Sequence, residues 1–149
     1  MSVAFPRESD EEHLEPRFEL PIPPGPNLMT ARGPALIAAR IAELDARIAP
    51  SEEPEPLRRS LRYWQTRAAT AEVVAPPTDG TIGIGSRVRF CLSGSERSFT
   101  IVGHDEADGE ARIGYAAPLA RAMMGLEEGD VADFQGRTDA IEILTVEPA

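Results

Sequence analysis

Two apolar seams of helical spacing lie on either side of a segment that no regular helix can cross. Ile37, Ile41, Leu44 and Ile48 recur at intervals of 4, 3 and 4 residues, and Leu57, Leu61, Trp64, Ala68 and Ala71 at intervals of 4, 3, 4 and 3. Each set lines one narrow stripe of a helix. Between them, Pro50-Ser51-Glu52-Glu53-Pro54-Glu55-Pro56 carries three prolines, whose rings remove backbone donors and clash with the preceding turn. Folding the chain back at that segment pairs Ile48 with Leu57, Leu44 with Leu61, Ile41 with Trp64 and Ile37 with Ala68, the residue numbers summing to 105 each time. The symmetry point falls between Glu52 and Glu53. Residues 29–75 are therefore expected to form an antiparallel helical hairpin, a short coiled coil with Trp64 in its seam and arms of about 18 residues, roughly 27 Å long. Thr30 is the expected N-cap of the first arm, with Gly33 and Pro34 in or near its first turn.

Beyond Pro76-Pro77-Thr78-Asp79-Gly80 the period changes from helical to alternating. Residues 85–92, 97–103, 111–115 and 140–146 read as strands separated by Gly, Ser and Asp turns. Pro118 to Met124 reads as a short helix, with Pro118 near its first position and Gly125 as its C-terminal cap. The fold class is thus α+β: an N-terminal helical hairpin followed by a small α+β domain over 76–149, near the size at which one core is only just sufficient. Residues 1–28 end in Leu20-Pro21-Ile22-Pro23-Pro24-Gly25-Pro26-Asn27 and show no periodicity. They are expected to be an acidic, proline-rich, disordered tail, in which Phe5, Phe18 and Leu20 are the residues able to pack.

Charge narrows the partners. The 149 residues carry a net charge of −10, distributed as −4 over residues 1–28, +1 over 29–75 and −7 over 76–149. That balance argues against binding duplex DNA, which requires a basic face to neutralise phosphates. No apolar run approaches the roughly 18–20 residues of a membrane span, and the first residues lack a secretory apolar region, so a cytoplasmic location and no membrane partner are expected. A lone Cys91 excludes an internal disulfide framework and reads as a small core hydrophobe, and with only His13 and His104 no Cys/His zinc site can be assembled.

Two charged groupings stand out. The second arm carries Arg58, Arg59, Arg62 and Arg67 against Glu72 alone, a pattern that fits a solvated outer face or a basic surface laid along an acidic partner. Asp105-Glu106-Ala107-Asp108 spells a helicase signature, but the chain has no lysine and no phosphate-cradling glycine loop, so that reading fails. It is expected to be a turn of solvated acids, and His104 beside it receives no role.

Ile101-Val102-Gly103-His104-Asp105-Glu106-Ala107-Asp108 is followed by Ile113, by Ala117-Pro118-Leu119-Ala120-Arg121 and by Met124-Gly125-Leu126-Glu127-Glu128-Gly129-Asp130-Val131. This ordered set resembles the C-terminal domain of the Gre family of bacterial transcription elongation factors. Met29-Thr30-Ala31-Arg32-Gly33 and Ala71-Glu72-Val73-Val74 are similar to the sequences that open and close that family's hairpin. The resemblance implies an FKBP-like C-terminal fold that docks at the rim of the secondary channel of RNA polymerase while the hairpin points inward. In cleavage-stimulating members, two acids at the hairpin tip help hold magnesium at the polymerase's catalytic centre, where a metal-activated water hydrolyses backtracked RNA.

The chain departs from that pattern at its tip. The family's Gly-Asp-Leu and Glu-Asn-Ala-Glu-Tyr motif is absent, and only Glu52, Glu53 and Glu55 occupy the turn. The hairpin is also shorter by roughly two dozen residues, or about 17 Å per arm, a large deficit beside the ~2 Å magnesium–oxygen distance. The resemblance therefore implies a polymerase-binding regulator that occupies the channel entrance without stimulating cleavage, similar to the short-stalked regulator of nucleoside diphosphate kinase. Such a chain is expected to be a monomer, not itself an enzyme, with no cofactor and no metal of its own. By position in the matched motif, Pro118, Leu119, Arg121, Met123 and Met124 are the expected docking residues, and Arg58, Arg59, Arg62 and Arg67 a channel-facing basic surface. The alternatives are a cleavage factor using Glu52, Glu53 or Glu55, and a prolyl isomerase, which rests on fold analogy alone and for which Phe90, Phe99, Tyr115 and Phe134 are few aromatics to line a pocket.

Overall fold

The computed structural model describes residues 19–149. Strand β1 (Asn27–Met29) leads into helix α1 (Gly33–Ile48), and helix α2 (Pro54–Thr70) runs directly into β2 (Ala71–Val73), which pairs in parallel with β1. The two helices pack on each other, and each starts with a proline in its first turn, where the missing donor is harmless. Ile37 and Leu44 are buried and Ile41, Ile48, Leu57, Leu61 and Trp64 half-buried, as the two seams require. Ala68, expected in the seam, is exposed. Arg40 lies over the Trp64 ring at 5.8 Å, a cation–π contact that covers the outer side of the indole.

The rest is a five-stranded sheet in the order β5-β4-β3-β7-β6, built from β3 (Ser86–Leu92), β4 (Ser95–Val102), β5 (Arg112–Gly114), β6 (Val131–Phe134) and β7 (Arg137–Pro148). All neighbours are antiparallel except β4 and β5. The β3–β4 turn places Ser93 and Gly94 at φ 50° and 89°, and the β6–β7 turn places Gln135 and Gly136 at 51° and 80°. Consecutive positive φ values match the right-handed twist of the flanking strands and close each hairpin tightly. Val88, Phe90, Ile101, Ile141 and Ile143 form one apolar face, against which α3 (Pro118–Met123) presses Ala120 and Met123. Gly125 follows α3 at φ 84° and donates its N–H to the Ile82 carbonyl at 2.8 Å, in keeping with its expected capping position.

Three expectations are corrected here. Thr30 is not the N-cap; Arg32 holds that position with no side-chain cap, and the Thr30 hydroxyl, while accepting from the Arg32 N–H at 3.2 Å, gives its proton to Glu106. Strands β1, β2 and β6 are not among the expected strands: the chain leaves the helix at Ala71, where the second seam was expected to continue, and β2 pairs there with β1. Residues 19–28, read as the end of a loose tail, are held in place: Pro26 O accepts from the Tyr115 hydroxyl at 2.8 Å, and Glu19 pairs with Arg62 at 2.7 Å. Phe5 and Phe18 lie outside the described residues. No helix among the described residues is long and apolar enough to cross a membrane.

Candidate functional site

The acids of residues 105–108 do not face solvent as a group: Asp105 and Glu106 hold the helical pair to the sheet, while the exposed Asp108 closes its own loop. After β4, Gly103 opens a single 3-10 turn over His104–Glu106. Glu106, 7% exposed, accepts from its own turn's Gly103 N–H at 2.9 Å, from Thr30 N–H at 3.0 Å and from the Thr30 hydroxyl. Asp105 accepts from Arg67 Nε at 2.6 Å and from the Tyr63 hydroxyl at 2.6 Å, and both charged side chains are only 4% exposed. Asp108 accepts the Arg112 and Glu110 N–H groups at 2.9 and 2.8 Å, which hold its carboxyl below the usual range. Asn27 completes the junction: its amide donates to the Arg67 carbonyl at 2.9 Å and to Thr70 Oγ1 at 3.1 Å, satisfying a carbonyl in the last turn of α2.

The polar partners decide the geometry because a buried charge left unpaired is expensive. Arg67 therefore cannot belong to a solvent-facing basic stripe. Tyr63 and Arg67 are four residues apart on α2 and so share one face of the helix, and that face meets the 3-10 turn. Burial, reinforced by the hydrogen bond to Asp105 and that group's negative charge, pushes the Tyr63 phenol from 10 up to about 12, with Arg67 opposing. Because the folded value is raised, this contribution to stability is present below about pH 10 and is lost as pH rises toward 12. In a near-ultraviolet titration, the tyrosinate signal removed by Tyr63→Phe should ionise near pH 12 in the native chain and at lower pH in Asp105→Asn. A Tyr63 signal at the ordinary tyrosine position would show that the contact is absent.

The expected channel-facing arginines divide into separate environments. Arg58 is exposed and lies 3.7 Å from Glu55; Arg59 is half-buried; Arg62 pairs with Glu19 at 2.7 Å and with Glu55 at 3.4 Å; Arg67 is buried in the junction. The tip glutamates divide likewise. Glu52 and Glu53 are exposed in the turn, whereas Glu55 sits in the first turn of α2 among arginines. Of the expected docking residues, Pro118 and Arg121 are exposed, and Leu119 and Met124 are half-buried against the core. Met123 is fully buried at 0% and is corrected from a contact residue to a core residue, since the i to i+3 spacing from Ala120 puts both on the sheet-facing side. Cys91 is half-buried on β3. His104 is exposed beside a cleft of about 380 Å³ lined by Pro24, Pro26, Ile113, Tyr115 and Arg67. Among the described residues no three His, Cys, Asp or Glu side chains converge as metal ligands.

Sequence reasoning missed Thr30, Tyr63, Asp105 and Glu106 as a cluster. The one available signal was an arginine four residues after a tyrosine, immediately beside an apolar seam.

Comparison with known proteins bears on what this junction belongs to. Residues 77–148 match the family described as "Transcription elongation factor, GreA/GreB, C-term". The transcription elongation factor GreA of Methylococcus capsulatus is 33% identical over 94 residues, covering 58% of this chain and 60% of the relative. That of Legionella pneumophila (strain Corby) is 36% identical over 73 residues, covering 47% and 46%. The chain thus spans about half to three-fifths of the length of these relatives. A solved GreA/GreB factor from Nitrosomonas europaea aligns over 83% of this chain and 98% of its own at 21% identity, with a TM-score of 0.39. These names correct the expectation that the chain is simply no enzyme: its relatives are GreA factors, accessory proteins of the hydrolytic reaction that the family resemblance describes. Residues 77–148 thus carry a GreA/GreB C-terminal domain, the part that this chain shares with the GreA elongation factors it resembles.

Proposed function

We propose that this chain binds RNA polymerase through an FKBP-like domain over 76–149 and presents residues 29–75 as a short coiled-coil hairpin at the secondary channel. There it modulates elongation and the access of longer-armed factors. The observation that carries the reading is the length of the arms. Helices of 16 and 17 residues put the tip roughly 25 Å from the base. The buried Asp105–Arg67 pair and the Glu106–Thr30 bonds oppose any swing that would extend that reach. Pro118 and Arg121, with the exposed edges of Leu119 and Met124, form the docking surface; Met123 supports it from beneath. Arg58 and Arg62 flank the shaft, where Glu19 pairs with Arg62.

The test is transcript cleavage in backtracked polymerase complexes, with this chain alone and in competition with a long-armed cleavage factor. The expected result is little RNA shortening with this chain alone and a concentration-dependent loss of the competitor's cleavage. Pro118→Asp and Arg121→Glu should abolish the competition without unfolding the chain. The exposed Glu52–Glu53 pair favours a second reading, in which the tip does reach the metal. Cleavage by the chain alone, lost in the Glu52→Ala/Glu53→Ala variant, would establish that reading instead. Against the isomerase alternative, the few aromatics are engaged elsewhere: Phe90 and Phe99 are buried with their ring centroids 5.0 Å apart, and the Tyr115 hydroxyl donates to the Pro26 carbonyl.

A further inference from the structure

We propose that the outer face of the sheet, where it meets the start of α1, is a binding site for a small diphosphate-bearing anion. Arg87 on β3, Thr100 on β4 and Arg112 on β5 are direct cross-strand neighbours in register, so their side chains leave the same face of the sheet in one row. Two strand spacings separate the arginine Cα atoms by roughly 10 Å, with the threonine between them. Arg32, at the N-terminal end of α1, closes a third side, and the four residues line one cleft of about 350 Å³. A second hollow of about 270 Å³ adjoins the row along the strand direction, at Ser98 and Ala111.

The charges there are poorly compensated. Arg87 has only Glu147 at 3.8 Å, both side chains 57% exposed, a pair of little energetic weight. Among the described residues, neither Arg32 nor Arg112 has a carboxylate within 4.0 Å; Asp108 feels the charge of Arg112 but accepts through Oδ1 from the backbone N–H groups of Glu110 and Arg112. Arg87 and Arg112 come from a segment whose net charge is −7 and Arg32 from the helical pair, and all three line the one cleft. Planar forks of donors match phosphate oxygens in paired hydrogen bonds, and the Thr100 hydroxyl supplies a central donor. Set against Glu147 beside Arg87 and the Ala149 end that also lines the cleft, the three guanidiniums still leave an excess of positive charge, which favours a multiply charged anion over a monoanion, and the cleft volume falls at the lower end of small-molecule sites. The shared chemistry is the diphosphate, free or carried by a nucleoside.

Calorimetric titration of the full chain separates the sources, with inorganic pyrophosphate, a nucleoside diphosphate, sulfate and a single-stranded RNA oligonucleotide as four arms. Pyrophosphate should bind saturably and more tightly than sulfate; tighter binding of the nucleoside diphosphate assigns the adjoining hollow to the nucleoside. Arg112→Gln and Arg32→Gln should each weaken pyrophosphate by about tenfold or more. Glu147→Gln should strengthen it, and Arg47→Gln on the far part of α1 should leave it unchanged. In the unmodified chain, pyrophosphate should shift the side-chain NMR signals of Arg32, Arg87 and Arg112 and spare Arg47. Binding that is unsaturable, equal in Arg112→Gln, or confined to the RNA arm overturns the proposal.

Discussion

Replacing Asp105 by alanine should lower the stability of the chain by about 3–5 kcal/mol, the range found when one partner of a buried ion pair is removed. The reason lies with what remains. Arg67 stays charged and only 4% exposed, and the Tyr63 hydroxyl loses its acceptor, while neither can reach water without moving α2 off the 3-10 turn. Against a total of about 5–15 kcal/mol for an ordinary domain, that loss is large. Urea unfolding measures it directly. The double variant Arg67→Met/Asp105→Leu should lose less than either single change, because it removes both charges together. A loss below about 1 kcal/mol for Asp105→Ala, the level of an exposed pair, would mean that the junction opens readily and that the arms are not held at a fixed angle.

Gly103→Ala should be the second most damaging single change, for steric reasons alone. The backbone of Gly103 is at φ −73°, a conformation alanine adopts without strain. An added Cβ, however, would stand 2.5 Å from the Leu28 carbonyl oxygen, 2.9 Å from Met29 Cβ and 3.0 Å from Met29 Cα. Two of these are main-chain atoms of β1 and the third is a Cβ fixed to it, so none can swing aside as the end of a long side chain could. Overpacking of this kind costs about 3 kcal/mol at its upper range, a fall in Tm on the order of 10 °C for a chain of this size. Gly109→Ala provides the contrast, because Gly109 has open space around it and φ 82°; its cost is conformational and smaller, about 1–2 kcal/mol. Equal Tm for Gly103→Ala and the native chain would show that β1 does not pack on the 3-10 turn.

Both changes act on contacts between positions far apart in the chain, and that separation explains what could be read early and what could not. The α1 and α2 seams repeat over four or five residues each, long enough for a period to rise above chance. The same holds for β3, whose first five positions alternate buried and exposed, and over shorter stretches for β4 at Phe99 to Ile101 and β7 at Ile141 to Ile143. Strands β1, β2 and β6, at three or four residues, carry no period, and their assignment depends on the partner strand. Thr30 illustrates the limit differently: its local sequence suits an N-cap, but a carboxylate from Glu106, 76 positions away, outcompetes the helix end for its hydroxyl. Arg67 and Asp105 each fit a solvated role in isolation, and burial becomes affordable only once they meet. For the candidate surfaces, exposure of Glu52, Glu53, Pro118 and Arg121 was foreseeable from turn and helix-end positions, whereas the burial of Met123 depended on which side of a six-residue helix the sheet lies.

Local patterning by itself thus determined a helical pair folded at the 50–56 proline segment, an alternating β-rich second half, and kinship with a family of elongation factors carried by residues 101–131. Tertiary structure alone decided how the two parts are joined and which charges are hidden. Periodicity reports only whether a side chain leaves its own helix or strand toward an apolar neighbour. An ion pair, a hydroxyl shared across 76 residues or a row of arginines on adjacent strands is a property of two or three segments at once, and it exists only when the fold brings them together.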